Sequence, residues 1–271
     1  MMDFLTQCLT NVQAGVVSAA GLFLLFTFLG RLTPCNRNQP TVQKGMLIDA
    51  AYFFIIPIFT RFVQNIYMGA GITLLFRGES DDAIRHFVMD GFGPLGHLPL
   101  WAQAAISFIL SDIILYWMHR FFHGKDMWRF HAIHHSSTHI DWHSTYRFHP
   151  VNIWLTFTLV DVLMVFLGLS LQSILIMGTF NMLYSGMVHA NLNWTFGPFK
   201  YIFASPVFHR WHHTSQEEGM DKNFAPTFPL LDVMFGTFYM PEDRLPEHYG
   251  IVGNTMPESF VSQIIWPFKN K

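Results

Sequence analysis

Five apolar runs limit what this chain can fold into. They span 14–30, 46–76, 100–118, 151–169 and 171–188. A bilayer crossing takes about 20 mostly apolar residues, with about 17 as a lower limit. Lipid offers no partner to backbone N–H and C=O groups, so runs of this length are read as helices, and the expectation is an all-α, multi-pass bundle. Composition agrees: 51% of the 271 residues are apolar and only 13% charged, against about 25% charged in an average soluble domain. The second run is interrupted by Arg61, Gln64 and Asn65, so it reads as one tilted helix or a broken one. Gly168, Ser170 and Gln172 stand around the join of the last two, which read as a helical hairpin with both ends on one side.

Charges in the connections orient the bundle. Between the first two runs lie Arg31, Arg37 and Lys44, with no acid before Asp49. Between the second and third lie Glu79, Asp81, Asp82 and Asp90 against Arg77 and Arg85. The first connection is therefore expected inside and the second outside. Residues 119–150 then fall inside, with Arg120, Lys125, Arg129 and Arg147, and the hairpin returns 189–271 to the same side. The C-terminal third holds eight of the fourteen prolines and no long apolar run, which predicts short helices and loops capping the membrane. The opening Met-Met-Asp-Phe-Leu lacks the basic stretch and cleavage site of a removable signal peptide. A net charge of −2 gives no reason to expect nucleic-acid binding.

Eight of the fifteen histidines fall into three short clusters on that inner side. They are His119 and His123 (HxxxH), His131, His134 and His135 (HxxHH), and His209, His212 and His213 (HxxHH). On a helix, residues three and four apart share a face, so each cluster aims two or three imidazoles one way. Eight are more than one metal ion needs, and together they could enclose two. Cys8 and Cys35 lie away from the clusters, so thiolate ligation is not expected. Imidazole alone does not choose among iron, zinc, copper and nickel. A zinc hydrolase of the HExxH type needs a glutamate beside its first histidine, and here the neighbours are Arg120, Ala132 and Arg210. Structural zinc takes about four ligands, often with cysteine. A site against lipid suits O₂ chemistry on hydrocarbon, so iron is favoured. His189 follows the fifth run on the same side; as a lone histidine it is either a ligand by context or a structural residue. Asp112 lies inside the third run, two helical turns before His119 and one before Tyr116. Both are expected to orient a ligand histidine. His143 and His149 read as polar loop residues.

The order of clusters, with Asp-x-x-x-Tyr-Trp-x-His-Arg at 112–120, resembles the sterol desaturase / fatty acid hydroxylase superfamily. His134-His135-Ser136-Ser137, Arg147-Phe148-His149-Pro150, His189-Ala190-Asn191 and Phe235-Gly236-Thr237-Phe238 extend the likeness over about residues 105–241. The resemblance implies a helical stalk, 1–100 being an N-terminal transmembrane region, and a catalytic region over 101–271. Its cytoplasmic cap, 119–150 and 189–271, would hold a non-haem di-iron site. The implied ligands are His119, His123, His131, His134, His135, His189, His209, His212 and His213. At two places the chain departs from the superfamily. Leu231-Asp232-Val233-Met234 replaces a Trp-Asp-Arg pattern, and Asn152 stands where an acid often follows His-Pro. Neither is expected to touch the ligands.

The implied activity is oxidation of an unactivated C–H bond of a lipid (sterol, fatty acyl or related) with O₂, hydroxylation being favoured over desaturation. No GxGxxG, CxxC or haem-attachment motif is present. Electrons would come from an external carrier, ferredoxin-like or a small haem protein with an NAD(P)H reductase. The membrane would be a bacterial inner membrane or an endoplasmic reticulum. The alternative is a membrane metal transporter or metal-binding protein without oxygenase activity, which would carry its polar ligands along a path through the spans.

Overall fold

A computed structural model describes Val17, residues 20–253 and residues 256–269. Among them the chain is helical, with no strand and a single isolated bridge between Thr214 and Tyr249. The apolar run at 14–30 is described from residue 20, as helix α1 (Ala20–Leu32); its earlier part and Cys8 lie outside the described residues. Helix α2 (Met46–Leu75) is one unbroken helix of 30 residues, although it contains Pro57. The short α3 (Asp81–Asp90) and α4 (Gly93–Gly96) lead into α5 (Leu100–Phe122). Helix α6 (Trp128–His135) follows, then a 3-10 turn at Trp142–Tyr146 and the pair α7 (Pro150–Phe166) and α8 (Leu171–His189). Three short helices, α9 (Pro206–His212), α10 (Leu230–Met234) and α11 (Phe260–Lys269), complete the C-terminal third.

Among the described residues three helices, α2, α5 and α8, are long and apolar enough to cross a membrane. Helix α7 is apolar but has 17 residues, because Pro150 opens it and Gly168 closes its turn. Local chemistry explains the hairpin. The backbone of Gly168 takes φ +81°, and a Cβ there would collide with the carbonyl of Phe92. Phe92 N–H donates to the Gly168 carbonyl at 2.9 Å. The Ser170 hydroxyl then caps α8 by accepting from Ser173 N–H at 3.2 Å, a preferred capping chemistry. Gln103 closes the same end of the bundle, donating to the carbonyls of Asp90, Gly96 and Leu98 and accepting from Ser170 N–H.

Helix α5 packs between α7 and α8, and α2 packs on α7. The up-and-down order brings the first turns of α2 and α7 and the last turns of α5 and α8 to one end. There the cap is tied to the bundle by buried ionic groups. Asp49 of α2 accepts from Arg147 Nε at 2.6 Å and pairs with His143 Nδ1 at 2.7 Å. Arg210, fully buried, donates to the Ile140 carbonyl (2.6 Å), the Tyr249 hydroxyl, Asn36 and Gln39. A buried guanidinium is tolerated only when its donors are satisfied in this way.

Candidate metal centre

The nine histidines singled out in the sequence converge at that end of the bundle. Helix α5 delivers His119 in its last turn, and His123 follows at its C-cap. Helix α6 presents His131, His134 and His135, helix α8 ends on His189, and helix α9 with its C-cap supplies His209, His212 and His213. Ser205 starts α9 by accepting from Phe208 N–H at 3.2 Å, with Pro206 at the first helical position. The rings sort into two groups. His119, His123, His131, His135 and His212 form one, and His134, His189, His209 and His213 form the other. Within each group the ligand nitrogens lie within 4.8 Å of one another.

Five rings have their Nδ1 held by an acceptor. His119 donates to the Phe224 carbonyl (2.7 Å), His212 to the Lys222 carbonyl (2.7 Å) and His189 to the Ser185 carbonyl (2.7 Å). His131 donates to Asn152 Oδ1 (2.7 Å) and His123 to the Asp221 carboxylate (2.9 Å). A neutral imidazole whose Nδ1 donates has only a lone pair at Nε2. Yet Nε2 of His119 faces Nε2 of His131 at 3.1 Å. In the other group the Nε2 of His189 lies 3.0–3.3 Å from those of His134, His209 and His213. The Nε2 atoms of His123, His135 and His212 are buried and have no hydrogen-bond partner. The buried lone pairs of His119 and His131 repel each other unless a cation lies between them, and the single lone pair of His189 can accept from only one of the three rings around it. The donor set therefore fits two metal ions, one per group.

Burial keeps these rings ready to ligate. It holds His123 below the ordinary imidazole range, and His131, His134, His135, His209, His212 and His213 well below it. Neighbouring imidazoles push the latter six further down. The carboxyl of Asp221 is held below its usual value by the hydrogen bond from His123.

One short loop, 221–225, serves three rings of the five-histidine group through Asp221, Lys222 and Phe224. Its backbone is left-handed at Asp221 (φ +53°) and Asn223 (φ +59°). The Asn223 amide donates to the carbonyls of Phe208 and Tyr239 and accepts from Tyr239 N–H, at 2.7–2.8 Å. Asp232 accepts from Phe224 N–H and Ala225 N–H at 2.8 Å each, and from the Thr237 hydroxyl at 2.6 Å. Asp112 and Tyr116 bond to no histidine. Asp112 accepts from Phe228 N–H, and the Tyr116 hydroxyl meets Thr237 at 3.0 Å. Tyr116 thus reaches His119 indirectly, by hydrogen bonds through Thr237, Asp232 and the loop and by edge-on packing of its ring against Phe224.

Two expectations change. Asn152 does touch a candidate ligand, His131, because the first turn of α7 faces α6. His143 and His149 are structural: the first pairs with Asp49, and the second caps α7 and meets the Ile264 carbonyl at 3.1 Å. The acceptors at Ser185, Lys222 and Phe224 are backbone carbonyls, which carry no residue-type signal.

Both groups open onto one cavity of about 290 Å³ between α2, α5, α7 and α8. His119, His131, His134, His189 and His209 form its inner wall. Ile56, Leu115, Ile153, Phe157, Met182 and Val188 make most of the remainder apolar. Phe148, also in the wall, stacks on His134 with centroids 3.9 Å apart.

Comparison with known proteins agrees with this geometry. Residues 104–237 match the model of the fatty acid hydroxylase family. Over this region the chain belongs to that family. Ornithine lipid hydroxylase OlsE of Rhizobium tropici is 29% identical over 174 residues, 64% of this chain and 52% of that protein. Human alkylglycerol monooxygenase is 29% identical over 140 residues, 51% of this chain and 31% of that protein. Methylsterol monooxygenase 2-2 of Arabidopsis thaliana is 28% identical over 148 residues, 52% of this chain and 55% of that protein. The chain thus spans about a third to a half of these relatives. No solved structure matches it significantly.

Proposed function

We propose that this protein is a membrane-bound di-iron oxygenase that hydroxylates the hydrocarbon portion of a lipid, using O₂ and electrons from an external carrier. The observation that carries this reading is the pair of converging imidazole groups opening onto an apolar cavity among the spans. His119, His123, His131, His135 and His212 would hold one ion, and His134, His189, His209 and His213 the other. Bound iron would supply the redox chemistry that activates O₂ toward a C–H bond.

The chain's own residues do the rest. The carbonyls of Phe224, Lys222 and Ser185, with Asn152 and Asp221, keep Nδ1 protonated and Nε2 free for metal on His119, His212, His189, His131 and His123. Leu115, Phe157 and Met182 hold an alkyl segment and exclude water from the reacting carbon. The cavity lies between spans, so substrate enters sideways from the bilayer. Relatives named for ornithine lipids, alkylglycerols and methylsterols support a polar lipid, and their names support hydroxylation over desaturation. Connection charges support a cytoplasmic placement of the site. A metal-transport role finds no comparable support, since the histidines gather at one end of the spans.

The test is incubation of the iron-loaded, lipid-reconstituted chain with a chemical reductant, membrane lipid extract and ¹⁸O₂. A lipid carrying one ¹⁸O, absent in His134→Ala, is the expected product. Zinc alone in protein from iron-replete cells, with no labelled lipid, would overturn the reading.

A further inference from the structure

The carboxylate of Asp112 is buried within α5, and no candidate metal ligand touches it. A carboxylate inside a membrane span is costly and is normally paired. Its partners here are the backbone N–H of Phe228, at 3.1 Å, and the Thr227 hydroxyl. Phe228 follows the last span by 39 residues, so a simple cap would leave it in water. Instead its ring lies 5.3 Å from Phe108 of α5 and 6.1 Å from Phe203. Phe108 precedes the end of α5 by 14 residues, which is about 21 Å along the helix. Two pieces of the C-terminal third, 201–204 and 226–235, therefore run down beside the spans. Ala204 N–H donates to the Thr227 carbonyl at 2.8 Å, and the Tyr184 hydroxyl of α8 donates to the Ala204 carbonyl at 2.7 Å. Irregular backbone at membrane depth is tolerated where protein groups satisfy it in this way.

The outer side of these pieces is apolar. Ile202, Leu230, Val233 and Met234 are exposed, Met234 at 65%. The one charged residue in 226–235, Asp232, is fully buried. The surface continues an exposed stripe of α5, Ile109, Ile113 and Trp117, at four-residue spacing. Trp117 and Phe235 join the two, with ring centroids 4.8 Å apart.

We propose that 201–204 and 226–235 form a re-entrant wedge in the acyl-chain layer of the bilayer, anchored at depth by Asp112. The occupant of its outer face is lipid. Pro226 and Thr227 line the cavity, so the wedge also closes the cavity between α5 and α8.

The test uses the full chain in phosphatidylcholine vesicles, with Cys8→Ser, and a nitroxide at Met234→Cys or Ile202→Cys. Leu159→Cys on α7 and Glu242→Cys on the cap, both exposed, are the lipid and water references. The expected result is faster relaxation by O₂ than by a nickel chelate at 202 and 234, as at 159, with the reverse at 242. Nickel dominance at 234 would place the segment in water and overturn the proposal. Protection from both reagents would show a second protein on this face and would overturn it equally. Asp112→Leu should raise nickel access at 234, and Asp112→Asn, which keeps an acceptor oxygen, should restore it. Unchanged access in Asp112→Leu would remove Asp112 as the anchor. Should that variant fail to fold, the readings on the Asp112 chain still decide where the wedge lies. No metal loading enters the measurement, so it is independent of the oxygenase reading.

Discussion

A ligand imidazole is only as good as the group behind it. Asn152 holds His131 by a single 2.7 Å contact. Asn152→Leu should leave that ring free to rotate and lower metal retention about 10–100-fold, read as the rate of loss to a chelator. Wild-type retention would mean that packing alone orients the ring. The buried rings also make a pH prediction. Seven histidines outside the spans titrate below the ordinary value of 6.5 in the fold, burial being the main cause. The unfolded chain therefore binds more protons once pH drops below about 6.5. Stability of the metal-free protein should be level above that pH and fall steadily below it, in denaturant titrations. A flat profile from pH 7.5 to 5 would contradict neutral buried rings.

Among the elements, the loop 221–225 and the hairpin turn at Gly168 do the most with the fewest residues. The loop serves the five-histidine group and not the other. Asn223→Ala removes its three amide hydrogen bonds and leaves a β-carbon at positive φ. The expected outcome is loss of one metal ion per chain, with the four-histidine ion retained, by elemental analysis and iron-site spectroscopy. Loss of both ions together would show that the groups do not form separately. At the turn, Gly168→Ala meets both positive φ and the Phe92 carbonyl. It should cost about 1–3 kcal/mol, seen as a lower unfolding midpoint at unchanged metal content.

Across the whole molecule, the candidate metal centre joins parts that are far apart in sequence. The candidate ligands come from α5, α6, α8 and α9, and Arg210 ties the last of these to the 36–39 segment. Binding to the folded state alone stabilises it by mass action. Stripping the metal should therefore lower the midpoint of global unfolding, not merely loosen the cap, and reloading iron should restore it. Identical midpoints for loaded and stripped protein would mean that the histidine groups are held by packing alone.

Much of this protein was legible in its sequence. Apolar runs dictate helices because lipid forbids unpaired backbone. Histidines at three- and four-residue spacing share a helix face wherever that helix lies, so all nine that converge could be named beforehand. Helix ends at Pro150, Ser170 and Ser205 follow from local capping chemistry. What only the tertiary structure decided depends on packing between distant segments. It divided nine rings into five and four, supplied backbone carbonyls as their partners, and turned the first turn of α7 toward α6 so that Asn152 meets His131. It also placed Asp112 against a backbone N–H more than a hundred residues away. A carbonyl has no letter in the sequence, and a contact across the bundle exists only once the helices have packed.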